Sequence, residues 1–277
     1  MKVRKRIVTA IIFLISAVVG IIFFFPLYYT FINSIRPLFG LPAILLPTAF
    51  EFENYKLAVT LIPFWSYLLS SLKIMVIGIG IGLVTNFLYG YALARLSVPA
   101  AKIFFILVLS YMMVPSISLD IPQYILFSNL GFRGTYWIWF FDALAGNAAL
   151  IFLCRQYLLG MPKALDEAAL IDGASRWTII TRITLPLSKP VLAVVFFRQF
   201  IYLWNDYMRP YMYLEKDTYP LIAALFSVDY SLPSNPGVQL VPVKNAAALL
   251  LALPVFVVFI FCQKQLVQGV AFSGVKG

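Results

Sequence analysis

The chain has 277 residues, 62% of them hydrophobic and 12% charged, with a mean hydropathy of +0.92; soluble domains carry about 25% charged residues, so this composition excludes a water-soluble globular domain and places the chain in a lipid bilayer. The net charge of +10 comes from 21 basic against 11 acidic residues, and because the basic residues are spread rather than clustered they read as topology signals, not as a nucleic-acid surface. With no histidine, and with Cys154 and Cys262 each inside an apolar run, His-based catalysis, Cys/His zinc sites and a disulfide framework are excluded, and neither a catalytic nor a metal-binding residue is expected.

The N-terminal MKVRKR leads into IVTAIIFLISAVVGIIFFF. That apolar run outlasts the core of a secretory signal, and no small-x-small cleavage site follows it, so it is read as a retained first span. A crossing needs about 20 mostly apolar residues, and six are predicted: Ile7 to Ile32, Tyr67 to Leu93, Ile103 to Phe127, Thr135 to Leu158, Pro190 to Leu214 and Ala246 to Val267. Lipid-exposed backbone must be helical because no water is there to satisfy its peptide groups. The expected fold is therefore all-α, a polytopic membrane domain over residues 1–277. Lys and Arg concentrate in alternate connecting segments, from Arg4, Lys5 and Arg6 through Lys163, Arg176 and Arg182 to Lys264, which predicts both termini and segment 159–189 in the cytoplasm. The outward segments Arg36 to Ser66 and Tyr211 to Lys244 are rich in aromatics, the second with a turn from Pro233 to Pro236; interfacial anchoring and docking of an external partner are both open for them.

In span two, Gly78, Gly82, Asn86 and Gly90 recur every fourth residue. Small residues on one helix face let a second helix approach closely, and Asn86 can bond across the contact, so this stripe is read as packing. Prolines 115, 122 and 254 are expected to kink or end their spans.

The central segment between spans four and five is polar. Immersing each of Lys163, Asp166, Glu167, Asp172, Arg176 and Arg182 would cost about 2.5–3.5 kcal/mol at the bilayer centre, so the segment stays in water. Its signals predict two short helices. Pro162 suits a first helical position, Asp166 and Glu167 the first turns, and Gly173 the end of the first helix. Ser175 caps the second helix, with Trp177, Ile180, Thr184 and Leu187 on one stripe and Pro186 and Pro190 closing it. Alanines 164, 168, 169 and 174 keep the projecting surface small, which suits insertion into another protein's groove.

Span five carries Arg198, Tyr202, Asn205 and Arg209 at helical spacing, with Trp204 and Asp206 beside them. Ionisable groups inside a span face the bundle interior or an aqueous cavity. Two readings are open: an internal ion pair of Arg198 with Asp206 or Asp142, or a face on which rings stack against a saccharide while amides and charges bond its hydroxyls.

Glu167-Ala168-Ala169, then Gly173, then Ile183 and Leu185-Pro186 stand at spacings that resemble the cytoplasmic coupling loop of permease subunits of binding-protein-dependent ABC importers. YALARL (Tyr91 to Leu96), the run Met113 to Tyr136, MPKALDEAALIDGAS (Met161 to Ser175), WNDY (Trp204 to Tyr207) and the terminal GVKG resemble the carbohydrate-uptake class, specifically the maltose-transporter G-type permeases. The resemblance implies a type I permease fold in a prokaryotic cell membrane and a sugar or oligosaccharide as cargo. Glu167, Ala168, Ala169, Asp172, Gly173, Ile183, Leu185 and Pro186 would engage an ATPase, and Gly274, Val275 and Lys276 would reach the same interface. It also implies a homologous second permease, two ATPase subunits holding the ATP and Mg, an extracytoplasmic sugar-binding protein and surrounding lipid, with no cofactor on this chain. No G-x-x-x-x-G-K-[ST] phosphate loop occurs in the sequence. Arg198 departs from the family's pattern and makes an acidic saccharide worth testing. The alternatives are a permease for a polyol, a glycerol phosphate or a peptide, a polytopic membrane enzyme, and a self-sufficient secondary transporter.

Overall fold

The computed structural model describes residues 2–97, 99–227, 230–231 and 239–274. Among them all regular structure is helical. In chain order the helices are α1 (Lys2–Ser34), α2 (Glu53–Thr60), α3 (Phe64–Arg95), α4 (Ala101–Met112), α5 (Ile117–Asn129), α6 (Trp137–Ala145), α7 (Ala148–Leu159), α8 (Ala164–Ile171), α9 (Arg176–Ile179), α10 (Leu185–Leu187), α11 (Lys189–Trp204), α12 (Met208–Tyr213), α13 (Leu221–Ser227) and α14 (Val241–Gly274). A single π turn, Ile180–Thr184, joins α9 to α10, and a 3₁₀ turn spans Lys216–Thr218.

Among the described residues four helices are long and apolar enough to cross a membrane: Arg6–Ser34, Phe64–Arg95, Trp137–Leu159 and Val241–Leu266. The expected third span is not one straight helix. The chain stops at Met112, passes Pro115, and α5 leaves at 107° to α4, because proline lacks the N–H that would continue the ladder. The expected fifth span is likewise divided. The 16 residues of α11 rise roughly 24 Å, short of a hydrocarbon core about 30 Å thick, and residues 205–207 separate α11 from α12. A second sharp bend, of 77°, lies between Arg176–Leu187 and α11.

The chain forms two compact units. The first takes Met1–Trp65 with Leu225–Pro254. Here buried asparagines fold the segment after α1. Asn33 exchanges two hydrogen bonds with the backbone of Ala43, both 2.9 Å, and Asn54 donates to the carbonyls of Ser34 and Arg36 at 2.8 and 2.9 Å. The most apolar stretch of α1 is wholly exposed, as befits a helix solvated by lipid. The expected turn Pro233 to Pro236 lies outside the described residues.

The second unit, Ser66–Ala224 with Val255–Gly277, is assembled around α3. Its glycine stripe does what the spacing predicts. A Cβ at Gly78 would strike the Leu203 side chain, one at Gly82 the Gln199 amide, and one at Gly90 would sit 2.5 Å from the Cys154 Cβ and 3.0 Å from the Arg155 nitrogen. These glycines therefore bring α11 and α7 onto α3 at backbone range. Asn86 completes the contact, approaching the Gln199 carbonyl oxygen at 3.4 Å. Cys154, Val191 and Val195 pack together in the adjoining core, and Phe259 of α14 lies against Phe197 of α11 at 6.0 Å between ring centres.

Candidate functional site

The polar segment folds as two capped helices set at the end of α7. The first begins at Ala164, two residues beyond the expected start at Pro162. Its end is a Schellman motif: Gly173, at φ +79°, donates to the Leu170 carbonyl at 3.1 Å, and Ala174 donates to that of Ala169 at 2.9 Å. Both bonds require the left-handed conformation that glycine alone adopts without penalty. Ser175 then caps α9, its hydroxyl accepting the Thr178 N–H at 3.1 Å. The expected stripe is displaced by the π turn. Trp177 and Leu187 are exposed, and the buried residues are Ile179, Thr184 and Ser188, since one extra residue per turn rotates everything beyond it.

Within this segment Glu167, Ala168, Asp172 and Gly173 are exposed while Ala169 is buried. Ile183 is half-buried in the π turn, and Leu185 and Pro186 are exposed beyond it. Ile171 at 86% and Trp177 at 64% exposure add apolar area to a projecting surface that carries Glu167 and Asp172. The loop is not held by its own residues alone. Arg95, the last residue of α3, donates to the carbonyls of Leu158 at 2.7 Å and Met161 at 2.9 Å and pairs with Asp166 at 3.4 Å, with its side chain 4% exposed. One buried guanidinium thus binds the ends of α3 and α7 to the start of α8. In the sequence Arg95 stands out only as a basic residue in YALARL; its three partners lie at least 63 positions away.

A second polar region lies where the fourth span breaks. Gly146, at φ +79°, and Asn147 separate α6 from α7, so carbonyls at the end of α6 and N–H groups at the start of α7 lose their helical partners. One turn of α3 supplies replacements. Thr85 donates to the Ala143 carbonyl at 2.6 Å, Tyr89 to that of Leu144 at 2.9 Å, and Asn86 accepts the Asn147 N–H at 2.8 Å. Asn147 in turn accepts the N–H groups of Ala149 and Leu150. Irregular backbone at membrane depth persists only where it is satisfied in this way or lines a cavity, and here it does both.

Two cavities flank the break. The larger, about 570 Å³, is lined by Tyr89, Tyr111, Gln123, Asp142, Gly146 and Arg209 among others; the smaller, about 300 Å³, by Tyr111, Asp142, Asn147, Arg198, Gln199 and Tyr202 among others. The ion pair between them is not the expected one. Arg209 donates to Asp206 and, at 2.9 Å, to Asp142, with its guanidinium over the Tyr202 ring at 4.8 Å; Arg198 makes no ion pair among the described residues. The reason is the end of α11 at Trp204. Arg209 does not continue the helical face of Arg198 and Tyr202, and the break at 205–207 swings it back onto them. Asn205 closes α11 by donating to the Ile201 carbonyl at 3.0 Å and is exposed. Trp204 is buried and stacked on Phe200 at 5.7 Å, so its ring packs inside the unit. Gln199, unremarked in the sequence, donates to the Gly78 carbonyl at 2.7 Å and fills the space above Gly82; its signal is an amide amid apolar neighbours, in register with a glycine of another helix. Gly274 ends α14, and Val275 and Lys276 lie outside the described residues.

The family model for the inner membrane component of binding-protein-dependent transport systems matches residues 75–271. The arabinooligosaccharides transport system permease protein AraQ of Halalkalibacterium halodurans is 30% identical over 273 residues, which cover 94% of each chain. The sn-glycerol-3-phosphate transport system permease protein UgpE of Salmonella typhi is 31% identical over 259 residues, covering 90% of this chain and 91% of its own. A chain from the crystal structure of a bacterial ABC transporter involved in the import of the acidic polysaccharide alginate shares the fold, with a TM-score of 0.80 at 22% identity over 94% of this chain and 96% of that one.

Proposed function

The chain belongs to the family of inner membrane components of binding-protein-dependent transport systems, and from that premise we propose that it lines, with a homologous second permease, the path of an ATP-driven importer for a sugar or oligosaccharide. The observation that carries the reading is the α8–α9 loop, capped at both ends and tied to α3 by Arg95, yet presenting Glu167, Ile171 and Asp172 to solvent. Glu167, Ala168, Ala169, Asp172, Gly173, Ile183, Leu185 and Pro186 form the surface that two ATPase subunits engage, and Gly274, Val275 and Lys276 extend it. ATP and Mg stay on those subunits, and this chain performs no covalent step. The two termini and the loop face the cytoplasm of a prokaryotic cell, in a membrane crossed six times, and an external sugar-binding protein delivers the cargo.

The mechanical logic follows from the contacts. A push on α8 reaches α3 and α7 through Arg95, and the π turn carries it into α11, whose Arg198 and Tyr202 line a cavity. Import then depends on how differently nucleotide and loaded binding protein stabilise the outward-open and inward-open arrangements. The test is reconstitution of the chain with its second permease and ATPase subunits in liposomes, with radiolabelled arabinooligosaccharide supplied on its binding protein. Accumulation is expected with ATP on the ATPase side and none without it. Equal accumulation in liposomes lacking the ATPase would remove the reading.

A further inference from the structure

Resting on the importer reading, we propose that Arg198 is a specificity residue for an acidic saccharide, and that the smaller cavity holds the anionic group, carboxylate or phosphate, of the passing solute.

Three observations converge on this. First, Arg198 lies well inside α11, lines the cavity of about 300 Å³, and has neither a hydrogen bond nor an ion pair among the described residues. A guanidinium at that depth is kept where it finds an opposite charge. Second, the nearby carboxylates are committed elsewhere: Asp142 and Asp206 share the guanidinium of Arg209. Two carboxylates and one guanidinium leave that cluster with one negative charge, on the Asp142 side that is 47% exposed. The cavity is thus bipolar, with a free cation on one wall and a carboxylate on the other. Third, the remaining lining suits a sugar. Tyr111 and Tyr202 offer ring faces, and the Asn147 carbonyl oxygen is occupied by two backbone N–H groups, leaving its amide nitrogen as a donor. Arg198 would take an oxyanion through paired N–H donors, Asp142 would accept a sugar hydroxyl, and the phenol rings would cover the apolar ring face. A neutral sugar leaves the guanidinium of Arg198 without a counter-charge at every passage, whereas an acidic one supplies it.

The experiment is uptake by the complete transporter, measured per assembled complex, with three matched sets: oligouronates, sugar phosphates and the neutral oligosaccharides of the same length. The wild type is expected to take up at least one anionic set in preference to the neutral one; which set it prefers distinguishes carboxylate from phosphate. Arg198→Gln is expected to lower that uptake roughly tenfold or more, the worth of one charge-assisted hydrogen bond, and Arg198→Lys to recover much of it. ATP-dependent uptake of the neutral set alone overturns the proposal while leaving the importer reading in place. So does equal anionic uptake by the wild type and Arg198→Gln. Loss of the second permease from purified Arg198→Gln complexes, with Arg198→Lys restoring assembly and every solute equally, overturns it too, since the arginine would then neutralise a neighbouring subunit.

Discussion

Gly173→Pro is expected to abolish ATP-driven uptake while the chain still inserts and co-purifies with its second permease. Gly173 sits at φ +79° and donates to the Leu170 carbonyl. Proline fixes φ near −65° and has no N–H to donate, so both the turn and one bond of the Schellman motif are lost. A proline forced on an incompatible position costs about 3 kcal/mol or more, on the order of a hundredfold in the population holding the native loop. The damage stays local because nothing lies within 4 Å of where a Gly173 Cβ would be. Uptake and subunit stoichiometry, measured on the same membranes, decide the matter, and Gly173→Asn serves as the mild control because asparagine tolerates the left-handed region. Wild-type uptake by the proline variant would show that the shape of this loop does not carry coupling.

Gly90→Val should do the opposite and attack assembly. At Gly90 the obstacle is the Cys154 Cβ and the backbone of Cys154 and Arg155, which cannot rotate away as a long side chain can. Overpacking of this kind costs about 1–3 kcal/mol for one added carbon, and valine adds two more on a branched, stiff side chain. Gly80→Ala is the internal comparison, since a Cβ there meets nothing within 4 Å. The expected result is a large drop in the yield and melting temperature of purified Gly90→Val protein, with Gly80→Ala matching the wild type. Gly82 is the instructive intermediate: its Cβ would meet the end of the Gln199 side chain, which can move, but only by giving up its bond to the Gly78 carbonyl.

What the sequence made legible was local in origin. Gly173 and Ser175 announce their caps because the partners of each lie within five residues. The stripe from Gly78 to Gly90 is visible because helical periodicity alone puts four small residues on one face. Features that depend on a distant partner were not legible. The break at Gly146–Asn147 is sustained by Thr85, Asn86 and Tyr89, more than fifty positions earlier, and the 135–158 run looks continuous in hydropathy. The π turn at Ile180–Thr184 leaves no mark in composition, yet it moved the buried stripe from Trp177 and Leu187 to Ile179 and Ser188.

The same division holds at the candidate site. The ring of Tyr202 and the charges of Asp142, Asp206 and Arg209 do gather, as intramembrane polar residues must. Which arginine completes the pair followed from the end of α11, not from spacing. Trp204 and Asn205 illustrate the hazard of reading a motif as a surface: one packs on Phe200 and the other closes a helix. Arg95 shows the converse, a residue with an evident topological use whose buried side chain also joins three helices.

The most direct test of the central claim, that a water-exposed hairpin on the cytoplasmic side is gripped by an ATPase, is labelling of Glu167→Cys with a membrane-impermeant maleimide. The two native thiols, Cys154 and Cys262, are buried and give little background. The account predicts no labelling in intact cells, rapid labelling in inverted vesicles stripped of ATPase subunits, and protection when those subunits are restored. Labelling from outside intact cells, or labelling in inverted vesicles that restored subunits leave unchanged, would contradict it.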